Sequence, residues 1–183
     1  MEHEMNKQFL LLLAFFLCNQ ANAWQTTIQN SQYGPVHVAW QQSTTDASVY
    51  LVVACAQGQR NATVSISTDN FVVGLANHTE HLIFEVGKGS TESKGSGPSS
   101  LYARIREDGM GFYIGEGQQG LSMRAMLANN DWMKVYWQFV APSRGKLLND
   151  ILGQPAAKPQ RSYTFDLRGF SQTSNRMAVA CGW

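Results

Sequence analysis

Apolar and polar residues alternate with a period of two along most of this chain, the spacing of a strand that lays one face on a core. In Val36-His37-Val38-Ala39-Trp40 the larger apolar residues Val36, Val38 and Trp40 share one face. His37 and Ala39 take the other, which predicts a first, half-buried strand near residues 34–41. Val49 to Cys55 is a continuous apolar run and predicts a central strand buried on both faces. Ala62 to Ser67 alternates again, and Gln57-Gly58-Gln59 between the two runs is a turn signal, so the pair predicts a hairpin. Phe71 to Val73 and His81 to Val86 continue the pattern. The segment 87–100, rich in Gly and Ser and without a residue to bury, then reads as a solvated connector. Leu101, Ala103 and Ile105 alternate with Tyr102, Arg104 and Arg106. Glu107-Asp108-Gly109 turns this strand into Gly111-Phe112-Tyr113-Ile114, a second hairpin.

Helical spacing occurs late. Leu121, Met123, Ala125, Met126, Leu127 and Ala128 predict a short amphipathic helix that opens after Gly120 and ends at Asn129-Asn130. Trp132 to Val140 returns to aromatic and β-branched strand chemistry, Pro142 to Gln160 is a surface excursion, and Ser162 to Leu167 is the last strand. Ser171 to Val179 predicts a terminal helix that carries Cys181 back onto the sheet. The sum is a single α+β domain, mainly an antiparallel sheet of about seven or more strands, sandwich or open barrel-like, with two short helices.

The first 23 residues do not belong to that pattern. Lys7, the apolar run Phe9 to Leu17 and Ala21-Asn22-Ala23 before Trp24 have the order of an export signal, and the run is too short to span a membrane. Glu2 and Glu4 fit such a segment poorly, which points to Met5 as the start. Bulky Phe15, Phe16 and Leu17 before Cys18 argue against lipidation there. The expectation is an exported domain over 24–183, in the periplasm or secreted, after cleavage near Ala23. In an oxidising compartment Cys55 and Cys181 are then the pair available for an intramolecular disulfide, and no Cys-x-x-Cys suggests redox work.

Charge narrows the partners. Setting aside Lys7, Glu2 and Glu4 leaves 13 of the 14 basic and 11 of the 13 acidic residues, a scattered net charge of +2 that gives no footprint for nucleic acid or an anionic membrane. Asn61-Ala62-Thr63 and Asn77-His78-Thr79 match the glycosylation sequon and read as polar turn residues. His78-Thr79-Glu80-His81 is one residue short of the spacing that would put two histidines one helical turn apart, and no Gly-x-Ser-x-Gly elbow accompanies His37. Catalytic residues, metal ligands and a cofactor are therefore not expected.

A family likeness rests on several segments. They are the apolar strand ending in Cys55, Arg104-Ile105-Arg106-Glu107-Asp108, the helix running into a strand over Leu121 to Val140, Tyr163 to Phe170, and the closing Ala180-Cys181-Gly182-Trp183. Together these resemble the periplasmic accessory proteins associated with type VI secretion, the TagO or VasI type. The resemblance implies a non-enzymatic helper that binds a component of a cell-envelope secretion apparatus. An exported immunity protein or inhibitor of an envelope toxin or hydrolase is the alternative, and glycan binding stays open with either. The expected contact surface is the aromatic strand, Trp132, Tyr136 and Trp137, bordered by Arg104 and Arg106, because desolvated aromatic and Arg side chains dominate interface energetics.

Overall fold

The computed structural model describes residues 24–68, 79–90, 95, 99–106, 109–138 and 161–183. Nine strands follow in chain order: β1 (Gln25–Ser31), β2 (Gly34–Gln42), β3 (Val49–Ala56), β4 (Thr63–Thr68), β5 (Thr79–Gly87), β6 (Ser99–Ile105), β7 (Gly111–Gly115), β8 (Trp132–Gln138) and β9 (Arg161–Asp166). Helix α1 (Gly117–Ala128) lies between β7 and β8, and helix α2 (Phe170–Cys181) closes the described chain. The strands hydrogen-bond in the order β1-β2-β3-β4-β7-β6-β5-β8-β9, and every neighbouring pair is antiparallel. The α+β architecture, both hairpins and the two helices agree with the pattern of the sequence. Phe71 to Val73 and Pro142 to Gln160 lie outside the described residues.

The core forms on one face of this sheet. Val49, Leu51, Val53 and Cys55 of β3 meet Val64 and Ile66 of β4, Phe112 and Ile114 of β7, Ala103 and Ile105 of β6, and Met133 and Val135 of β8. Met123 and Leu127 of α1 and Phe170 and Met177 of α2 cover that layer. The two outermost strands differ. At β9 the loop after β2 supplies the missing ladder: Thr44 N–H donates to the Thr164 carbonyl (2.8 Å), and Thr164 N–H donates to Thr45 Oγ1 (3.1 Å). The sheet thus curls until the β2–β3 corner meets Thr164 of its last strand.

Three local expectations are corrected. In β2 the register aligns Ala39 with Val53 and Gln41 with Leu51, so the core-facing set is His37, Ala39 and Gln41. Gln41 is 1% exposed, whereas Val36 and Trp40 are only half-buried. Helix α2 and the curl of the sheet crowd that inner face, so a small residue at 39 packs where a tryptophan would not fit. In β3 only one face is fully buried; Tyr50, Val52, Ala54 and Ala56 are half-buried, because no second layer among the described residues covers the outer surface. Helix α1 begins at Gly117, one turn earlier than expected, with Gly120 inside it. A Cβ on Gly120 would collide with the Ala62 carbonyl, so the glycine permits close helix–strand approach and does not end an element.

Strand β1 was not anticipated at all. Gln25-Thr-Thr-Ile-Gln-Asn-Ser31 offers one large apolar residue and no alternation, and it becomes a strand because Gln32-Tyr33 folds it back on β2 in unbroken register.

Candidate binding surfaces

The terminal helix brings Cys181 to Cys55, with the Cα atoms 6.0 Å apart, and the two form the disulfide. Phe170 and Met177, on the same face of α2, seat the same helix together with Trp24, whose ring lies tilted 4.3 Å from that of Phe170.

The five residues expected at a contact surface are dispersed. Trp132 is 3% exposed: its ring fills a slot under Gly87 and Gly95, where a side chain at either glycine would strike the indole. It is therefore a packing residue, a correction to its expected place at the surface. Two glycines far from Trp132 in sequence make that slot, which no local pattern announces. Tyr136 is half-buried on the outer face, its hydroxyl 3.5 Å from Glu85 and the Lys134 ammonium 5.2 Å from its ring. Trp137 pairs through its backbone with Leu82 and Arg161, and its side chain lies outside the described residues.

Arg104 and Arg106 do not border this strand. Strand β5 separates β6 from β8. Arg104 is level with Thr79, four residues along β5 from the partner of Tyr136, Ile83. Two strand spacings are about 10 Å and four residues about 13 Å, so the arginines and Tyr136 are separate patches. Both guanidiniums are also engaged. Arg104 pairs with Glu116 (3.0 Å) and lies 4.6 Å from the Tyr113 centroid. Arg106 lies 5.8 Å from the same ring and donates to Ser67 Oγ at 2.6 Å. An exposed ion pair of this kind contributes about 0–1 kcal/mol, so the network orders the outer face more than it stabilises it.

A different surface is open. Strand β1 is exposed along Thr26 to Ser31, and its outer edge has no strand beside it in the described sheet. It carries no charge, no proline and no bulge, the devices that usually protect such an edge. Between β1 and α2 runs a groove of about 470 Å³. Thr26 and Ile28 form one wall, Thr173, Arg176 and Met177 the other, and His37 the floor. Ile28 is 61% exposed, and Nε2 of His37 is buried without a hydrogen-bond partner among the described residues. The signal for this surface was present as polarity: an uncharged Gln/Thr/Asn segment directly before a strand.

Asn61 sits exposed in the β3–β4 turn, where its amide donates to Gln59 Oε1 at 3.3 Å. Asn77 and His78 lie outside the described residues, as do the side chains of Glu80 and His81. Among the described residues no helix is long and apolar enough to cross a membrane. No protein-family model, no curated protein and no solved structure matches this chain.

Proposed function

We propose that this chain is an exported, non-enzymatic accessory protein of the cell envelope that binds a component of a secretion apparatus of the type VI kind. In this proposal an extended segment of the partner adds to the edge of β1. The observation that carries the proposal is the contrast between the two sheet edges. At the β9 edge Ser43, Thr44 and Thr45 hold Thr164, whereas no described strand pairs with the outer edge of β1 along Thr26 to Ser31. A row of unpaired backbone N–H and C=O groups recognises another strand, and alternate side chains of that strand would enter the groove beside it. Among the described residues the ionisable groups lining the groove are His37 and Arg176 and no carboxylate lines it, which favours a neutral or acidic segment.

Site-specific photocrosslinking in the producing cell tests this. A crosslinking residue at position 28 is expected to capture one envelope component, and Ile28→Lys is expected to abolish function while leaving the thermal midpoint near wild type, since the side chain is already in solvent. The same crosslinker at Val179, 89% exposed on α2 and turned away from Met177, is the control. Equal capture at both positions, or full function in Ile28→Lys, would reject the β1 edge.

A further inference from the structure

At the other end of α2 the chain builds a second concavity, unrelated to the β1 edge. Helix α2 ends at Gly182, whose N–H, like that of Trp183, donates to the Ala178 carbonyl (3.0 and 3.1 Å). The Trp183 indole N–H donates to the Asn61 carbonyl at 2.9 Å, and Gly58 N–H donates to the Ala180 carbonyl at 3.1 Å. The Cys55–Cys181 disulfide lies two residues away. These ties hold the indole over the β3–β4 turn and against α1, and the space left between them is an open depression of about 490 Å³. Arg60, Gln118, Leu121, Arg124, Gly182 and Trp183 line it.

No acidic side chain among the described residues lines this cleft. Arg124 lies 4.7 Å from the Trp183 ring, its Nε is buried without a hydrogen-bond partner, and burial pulls its pKa below the usual arginine value. Among the described residues neither Arg124 nor Arg60 has an ion-pair partner, and no Asp or Glu lines the cleft. A partly desolvated guanidinium that lacks a counter-ion is costly to the folded protein, and a bound anion recovers that cost. The planar fork of a guanidinium matches a carboxylate through two parallel hydrogen bonds, Gln118 adds an amide, and Leu121 with the indole gives an apolar wall for a carbon skeleton.

We infer that the Arg60–Arg124–Trp183 cleft is a binding site for a small carboxylate-bearing ligand, the acid group held by the two guanidiniums and its skeleton laid against Trp183 and Leu121. An acidic sugar and the free end of a peptide both carry this chemistry. The test is a titration of the full mature protein followed by the Trp183 indole resonance in nitrogen-edited NMR, assigned with Trp183→Phe. Two matched pairs are the probes: N-acetylmuramic acid against N-acetylglucosamine, and acetyl-dialanine against its C-terminal amide, with inorganic phosphate as a further arm. One or both acids are expected to shift the indole resonance and the neutral partners to leave it in place. The acid that binds names the source.

Arg124→Gln and Arg60→Gln are each expected to weaken binding by roughly tenfold or more, the loss of a charge-assisted contact. Arg60 is exposed, so its variant keeps the test valid if Arg124→Gln misfolds. Three outcomes overturn the assignment: no acid moves the resonance at about 10 mM, neutral analogues move it equally, or phosphate binds more tightly than either acid.

Discussion

At the scale of single residues, aromatic rings on one strand have opposite duties. Trp132 is enclosed by Gly87 and Gly95 on the outer side of β8, whereas Tyr136, four residues on and on the same face, keeps part of its ring in solvent beside Lys134. Removing a fully packed ring forfeits its transfer free energy and leaves a cavity, so Trp132→Ala is expected to cost about 3–5 kcal/mol. Tyr136→Ala forfeits a marginal 3.5 Å hydrogen bond and half-buried area, and is expected to cost about 1 kcal/mol. Urea unfolding of the two variants measures the difference; equal losses would mean that the Gly87–Gly95 slot does not hold the indole.

At the scale of elements, α2 is the piece whose placement depends most on a covalent tie. It contributes Phe170, Met177 and Cys181 to the core and forms a wall of the β1 groove, and its last residue is the disulfide cysteine. The bridge spans 126 positions, and on a chain-entropy argument a loop of that length constrains the unfolded state by roughly 4–5 kcal/mol. Replacing both cysteines with alanine is expected to lower stability by up to about that amount. The exchange of the α2 amides should then quicken before that of β3, because a helix with 12 residues has little stability of its own without its anchor. Amide exchange resolved by residue checks the order. Uniform acceleration across the molecule would show that α2 is held by packing alone.

At the scale of the whole molecule, the β2–β3 corner covers Thr164 on one outermost strand of the sheet, and no described segment does the same for the outer edge of β1. Ser43 Oγ and Thr44 Oγ1 donate to the Thr164 carbonyl at 3.0 and 3.1 Å, and Thr45 Oγ1 accepts from Thr164 N–H. Thr45→Ala leaves that N–H, on an 8% exposed residue, without its partner at a cost of about 1–3 kcal/mol. It also opens the Thr164 N–H to a further strand, while Ser43 and Thr44 still hold the Thr164 carbonyl. The expected result is faster exchange of the Thr164 amide and concentration-dependent self-association in sedimentation velocity. A variant that stays monomeric with a protected Thr164 amide would mean the loop does not guard the edge.

Much of this architecture is local and was legible before any coordinates. Period-two alternation marked β2, β4 and β6, aromatic and β-branched residues marked β8 and β9, and spacing marked both helices, because a buried face must recur with the period of its own backbone. The disulfide was equally plain, with two cysteines left once residues 1–23 are set aside. What tertiary structure alone decided is which surfaces face each other. Ala39 and Gln41 turn inward although Trp40 is larger and more apolar, since the space beneath α2 is set by the curl of the whole sheet. Strand β1 exists because β2 offers it a ladder, Trp132 is hidden by glycines from elsewhere in the chain, and Arg60, Arg124 and Trp183 meet only after α1, α2 and the β3–β4 turn have packed. Periodicity reports that a residue is covered or bare; what covers it depends on contacts between residues far apart in the chain.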